Sequence, residues 1–255
     1  MDYKVKYIKY KIKYLEFKNI NNQIGGIGGI GGIGGIGGIG GMKNNYILNY
    51  INDTIENMKN GGYKKNFIIA YILKKIMDEF KIKNNKYMVI AGYCLHKYRD
   101  VGDLDVIIEE GKPYNKLRDS GLFKIDTAKI SNDERLVLKL NNIDNEAEIE
   151  IFPKSRKIGF PSNYYSLDNL QSKKLLKYDD HGNPYYNDKT CIKQYSDIKL
   201  NNDGEYYSSN FKISEQRVEK NLLQLKTILS NILDKKTKKY CEKKILLLEN
   251  ILSKK

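Results

Sequence analysis

From Ile24 to Gly41 the chain repeats Ile-Gly-Gly six times without a charged residue. In a helix, twelve glycines would cost about 1 kcal/mol each relative to alanine, about 12 kcal/mol in all. Six isoleucines do not offset that. The stretch is as long as a short membrane span, but its glycine content excludes a stable helix. It reads as a flexible linker over residues 24–43. The chain therefore falls into a short head, residues 1–23, and a body that must hold any core. Of the 255 residues, 40% are hydrophobic, enough for a packed body rather than wholesale disorder.

The formal net charge is +14, of which +4 falls in residues 1–41 and +7 in residues 212–255. Basic ends flank a nearly balanced middle. One account is binding of RNA or another polyanion through the tails. The other is compositional: Lys, Asn, Ile and Tyr all have A/T-rich codons, and a biased genome makes a basic protein without selection for binding. In the head, Tyr3, Tyr7, Tyr10, Tyr14 and Phe17 interleave with lysines. That pattern suits single-stranded nucleic acid or an amphipathic helix docked on a partner.

The first twenty residues scatter Lys throughout and hold no apolar h-region, so a secretory signal is not expected. Three cysteines exclude a disulfide-stapled scaffold and fit a reducing compartment. The expected location is intracellular, in a cytoplasm or a virion, with no membrane association; the oligomeric state is not legible. Cys191 and Cys241 read as buried fillers. Cys94 and His96 flank Leu95 and would diverge on a short helix, so they make a poor ligand pair. His96 and His181 read as isolated structural histidines.

The body has an α+β pattern. Helical spacing runs over Tyr46–Met58, and again over Phe67–Phe80 after Gly61-Gly62. Tyr87–Ala91 and Leu104–Ile108 read as strands. Leu136–Leu140 and Ala147–Phe152 read as a hairpin. From Ser166 onward the pattern reads as helical, with Arg217–Leu233 and Lys238–Leu252 forming a helical hairpin. The expected fold is a small mixed sheet flanked by helices over residues 44–160, followed by a helical region over 161–255.

The chemistry lies between Ala91 and Phe152. A strand ends at Gly92, where the missing Cβ admits a ligand to the backbone, and a short helix near Tyr93 would point free N–H groups at the same spot. Asp103 and Asp105 are two apart on the next strand and share a face. Glu146, Glu148 and Glu150 alternate with aliphatic residues and share a face too. Acids packed side by side repel one another, and a divalent cation would relieve that. A solvated acidic strand edge is the simpler account of the three glutamates.

At these residues the sequence resembles the nucleotidyltransferase superfamily of the polymerase-β type. It is similar, more narrowly, to small nucleotidyltransferases related to abortive-infection toxins. Ala91-Gly92-Tyr93-Cys94-Leu95 stands at the family's Gly-Gly-x-Ala-Leu segment, Arg99 at its Arg, and Asp103-Leu104-Asp105 at its paired acids. Residues 165–174 resemble the Ser-Leu helix that follows, and Lys193–Ile198 the later Lys-x-x-x-Asp-Ile helix. Ala91 departs from the first Gly, and Tyr93 puts a bulky side chain where phosphates would sit. The third acid is a Glu, either Glu148 or Glu150, with a lean toward Glu150. Separately, the head and its glycine run resemble the N-termini of many mimivirus-like giant-virus proteins.

The resemblance implies a sheet of nucleotidyltransferase type and transfer of an NMP from a nucleoside triphosphate onto a hydroxyl of RNA, protein or a small molecule. Two Mg²⁺ ions would be held by Asp103, Asp105 and Glu148 or Glu150. Gly92, Tyr93, Arg99, Lys173 and Lys193 are the implied phosphate-side residues. Two other readings stay open: an inactive module of this fold that binds nucleic acid, and a structural virion protein.

Overall fold

Period-two alternation of aliphatic residues builds a mixed sheet, and two apolar helices supply its cover. In the computed structural model the described residues are 39–127, 134–141, 143, 147–153, 175–208 and 211–254. The chain divides into two units, Met1–Ile39 and Gly40–Lys255, and the described residues 40–254 belong to the second. Helix α1 spans Ile39–Asn60 and α2 spans Lys65–Glu79. Strand β1, Tyr87–Ile90, runs into a 3₁₀ turn, Ala91–Leu95, and the chain returns as β2, Leu104–Ile108. Helix α3, Lys112–Arg118, leads to β3, Lys124–Thr127, β4, Glu134–Leu140, and β5, Ala147–Pro153. Then follow β6, Leu176–Tyr178, β7, Pro184–Tyr186, and α4, Asp188–Ser196.

These strands make one seven-stranded sheet in the order β3-β4-β5-β2-β1-β7-β6. The pairs β2/β5 and β1/β7 are parallel and the others antiparallel. A second, three-stranded sheet holds β8, Ile198–Leu200, β9, Tyr206–Ser208, and β10, Phe211–Ile213. The chain closes on α5, Glu215–Leu229, packed against α6, Lys235–Leu252. Side chains begin α4, α5 and α6: Asn187, Ser214 and Asp234 accept from the backbone N–H of Thr190, Arg217 and Thr237, which satisfies donors that a helix start leaves open.

Leu104, Val106 and Ile108 of β2 and Ile149 and Ile151 of β5 are fully buried. They join Ile68, Ile72, Leu73, Ile76 and Met77 of α2 in one core. Burial of each such side chain contributes about 1.5–3 kcal/mol.

The α+β expectation holds, as do the helical hairpin and the β4–β5 hairpin. Two boundaries are corrected. Helix α1 begins at Ile39, inside the stretch expected as linker; once the amphipathic Tyr46–Met58 turns are docked, the backbone helix runs back through the last glycines. Residues 176–213, expected to be helical, contribute five strands around one short helix. Each of those strands is three residues long, too short for alternation to show in sequence. Among the described residues no helix is long and apolar enough to cross a membrane.

Candidate active site

The register of β2 against β5 decides where the acids go. Asp105 is the lateral partner of Glu150 and Leu104 that of Ile149. Lateral partners project from the same face and residues two apart share it. Asp103, Asp105, Glu148 and Glu150 therefore stand on one face, opposite the apolar core. Asp103 lies just before β2 and is exposed; the other three are half-buried. Glu150 is pushed above the ordinary carboxylate range, chiefly by burial; Arg135 opposes the rise and Glu148 and Asp103 add to it. Glu148 and Asp103 thus lie near enough to act on Glu150 through their charge.

Cations of the chain's own are already present on this face. Arg135 Nη1 lies 2.6 Å from Glu150 Oε1, and its Nη2 lies 3.1 Å from Asp126 Oδ2. Lys139 lies 3.4 Å from Glu148 on the exposed side. Among the described residues no three Asp, Glu, His or Cys side chains already stand as a group able to hold a metal. The donors are nevertheless all hard carboxylate oxygens on one face, the chemistry that suits Mg²⁺ rather than Zn²⁺. To hold such an ion the acids would have to draw together, with Glu150 shared with, or released by, Arg135.

The turn after β1 lies beside this cluster, because Ile90 pairs laterally with Asp105. Its shape is set by Asn66 of α2, whose amide donates to the carbonyls of His96 and Arg99, both at 3.1 Å, and accepts from Val101 N at 2.9 Å. The missing side chain of Gly92 leaves room for Arg99. A Cβ would meet Arg99 Nη2 at 2.9 Å and stand 3.9 Å from the Tyr195 hydroxyl. The close approach expected of a ligand is made by the chain's own guanidinium, which donates a hydrogen bond to Tyr195. Burial raises the Tyr195 hydroxyl above its ordinary range, Arg99 and Arg217 draw it back, and Asp105 adds to the rise. Arg99, Tyr195 and Asp105 therefore share one neighbourhood. Ala91 takes φ 53°, the left-handed region where a glycine would sit without strain.

Tyr93 does not obstruct the turn. Its ring is buried, stacked on His96 with centroids 4.4 Å apart, and its hydroxyl donates to Asp179 Oδ2 at 2.7 Å. Only its backbone belongs to the turn. Lys193 is exposed on α4 while Tyr195, two residues on, is buried toward Gly92; Tyr195 is the residue of this helix that reaches the site. Lys173, Glu146 and the helix expected at residues 165–174 lie outside the described residues. His96 and His181 are packing residues as expected: each ring contacts neighbouring aromatics, each faces a backbone carbonyl, and burial lowers both below the usual imidazole range.

The reading of Cys191 as a filler is corrected. Cys191 forms a disulfide with Cys94, Cα–Cα 6.0 Å, across 97 residues of chain. Nothing local signals a pair so far apart. Cys241 is free and buried, as expected, and burial pushes its thiol up to about 11. Sequence reasoning also missed Arg135 and Tyr195. Arg135 was findable, because it alternates with Val137, which faces Glu150 across β4–β5. Tyr195 carries no sequence signal for its place beside Gly92. The chain matches no family model, no curated protein and no solved structure.

Proposed function

We propose that the protein is a metal-dependent nucleotidyltransferase that moves an NMP from a nucleoside triphosphate onto an acceptor hydroxyl. The observation that carries this reading is the lateral pairing of Asp105 with Glu150, with Asp103 and Glu148 on the same face, beside a Gly turn that holds Arg99. In the reaction the acceptor hydroxyl gives up its proton to solvent, its oxygen bonds to the α-phosphorus, the bond to the bridging oxygen breaks, and pyrophosphate leaves. Asp103, Asp105 and Glu150, with Glu148 at the edge, would hold Mg²⁺. When bound, such ions lower the pKa of the acceptor hydroxyl and offset charge on the leaving group.

The chain's own groups do the rest. Arg99 offers a planar, permanently charged fork to phosphate oxygens, and Tyr195 orients it. Arg135 lets Glu150 stay ionised while half-buried, since a carboxylate withdrawn from water needs a charged partner. The strand backbone keeps the acids on one face, and binding of the ion would draw Glu150 away from Arg135.

The test is transfer of label. Wild-type protein is incubated with each α-labelled nucleoside triphosphate, Mg²⁺ and total RNA or lysate. Labelled macromolecule from wild type and none from Asp105→Ala supports the reading. Equal labelling by both, or by neither, overturns it.

One observation favours a second reading. Both places where substrate groups would sit are already served by internal cations, Arg99 over Gly92 and Arg135 on Glu150. An inactive module of this fold, binding nucleic acid through basic segments, would have that arrangement. A melting temperature unmoved by nucleoside triphosphate with Mg²⁺, with intact RNA binding, selects the module.

A further inference from the structure

The turn that carries Gly92 is strained at one end and stapled near the other. Ala91, at φ 53°, holds a conformation that a residue with a Cβ rarely adopts, and such conformations persist only where the surroundings over-determine them. Three residues on, Cys94 is bonded to Cys191 of α4, and both cysteines are fully buried. Cys191 and Tyr195 are four apart and lie on the same side of α4. The bond seats this side of α4 together with Asn221 of α5, which donates to the Tyr195 carbonyl at 3.0 Å, and the Tyr195 hydroxyl ends 3.9 Å from the position a Gly92 Cβ would take.

We propose that the Cys94–Cys191 disulfide is a redox clamp on this turn: oxidised, it holds α4 down with Tyr195 on Arg99; reduced, it releases both. The exchange partner is a dithiol. Its thiolate attacks one sulfur to give a mixed disulfide, and its second thiol closes on the first. Cys94 and Cys191 leave as thiols and the reductant leaves as its own disulfide, two electrons and two protons having been transferred. Because the sulfurs are buried, exchange follows local opening of α4. The clamp goes beyond nucleotide transfer and does not depend on it.

The full chain is the sample. Alkylation before unfolding, then mass spectrometry, is expected to leave Cys94 and Cys191 bonded, and dithiothreitol to free both. Amide exchange is then compared in untreated protein, in dithiothreitol-treated protein and in Cys191→Ser. Exchange across residues 91–101 and in α4 is expected to rise at least tenfold in the last two, while β5 stays unchanged and reports that the fold is intact. Adding Ala91→Gly to Cys191→Ser is expected to slow the turn's exchange again by at least threefold, since it removes the strain the clamp opposes. Free Cys94 and Cys191 in the untreated protein would overturn the clamp. So would unchanged exchange over 91–101 after reduction proven by mass, or no effect of Ala91→Gly. None of these readouts requires catalysis, so the clamp and the transferase reading fail separately.

Discussion

Strands β2 and β5 have two faces, one apolar throughout and one that carries acids at its start and buried Ile107 and Phe152 further on. On one, Leu104, Val106, Ile149 and Ile151 are fully buried. On the other, Asp105 and Glu150 stand side by side, Glu150 above its ordinary proton affinity through burial. The first face stabilises the fold by removing apolar surface from water. The second works against it, because like charges on adjacent strands repel and a half-buried carboxylate loses hydration. Arg135 and Lys139 offset only part of that. The acids gather toward the starts of the two middle strands, and further along the same face Ile107 and Phe152 are buried.

Separating activity from stability is the way to break this contrast. Asp105→Ala carries the largest expected effect: transfer falls by at least about 10³-fold, roughly 4 kcal/mol, while the melting temperature moves by less than about 2 °C. A parallel drop in melting temperature would make Asp105 structural. On the opposite face, Ile149→Ala is expected to cost about 2–5 kcal/mol and to lower the melting temperature by roughly 10 °C, with activity retained in the cold.

Smaller effects sharpen the picture at the turn. Asn66→Ala removes three hydrogen bonds around residues 96–101 and is expected to cost about 2 kcal/mol in denaturant unfolding. Ala91→Gly is expected to add about 1 kcal/mol, the relief of a left-handed alanine, whereas Gly92→Ala should leave stability nearly unchanged because only the end of the Arg99 side chain has to move. His96 and His181, both lowered by burial, contribute one pH dependence, which Glu150, raised by burial, opposes. Below about pH 6.5 the unfolded histidines bind protons that the folded ones refuse, so their stability is fully present above that value and is lost as pH falls. Urea midpoints at pH 7.5 and 5.5 measure this, and replacing both histidines by phenylalanine should flatten the difference.

Much of the site was legible because strands have a period of two. Asp103/Asp105 and Glu148/Glu150 declare their common faces from spacing alone, and Gly92 marks the turn. What spacing could not supply is which strands are neighbours: the β2–β5 pairing joins residues some 45 apart, and that step sets two acidic stripes side by side on one face. Arg99 was singled out, but its place over Gly92 depends on Tyr195, which arrives on α4 from almost a hundred residues away. The same distance hid the Cys94–Cys191 bond. In the region after residue 175, three-residue strands left no periodicity to read, and helices were expected where β6–β10 formed.

Everything proposed for catalysis requires Asp103, Asp105 and Glu150 to act as one cation site. Titration with Mn²⁺, followed by the electron paramagnetic resonance of the free ion, tests this directly in wild type, Asp105→Asn, Glu150→Gln and Asp126→Asn. Binding by wild type and Asp126→Asn, weakened at least tenfold in Asp105→Asn and Glu150→Gln, is the expected result. Equal binding by all four proteins, or none by wild type, would contradict it and leave the acids as a charged sheet face without a metal.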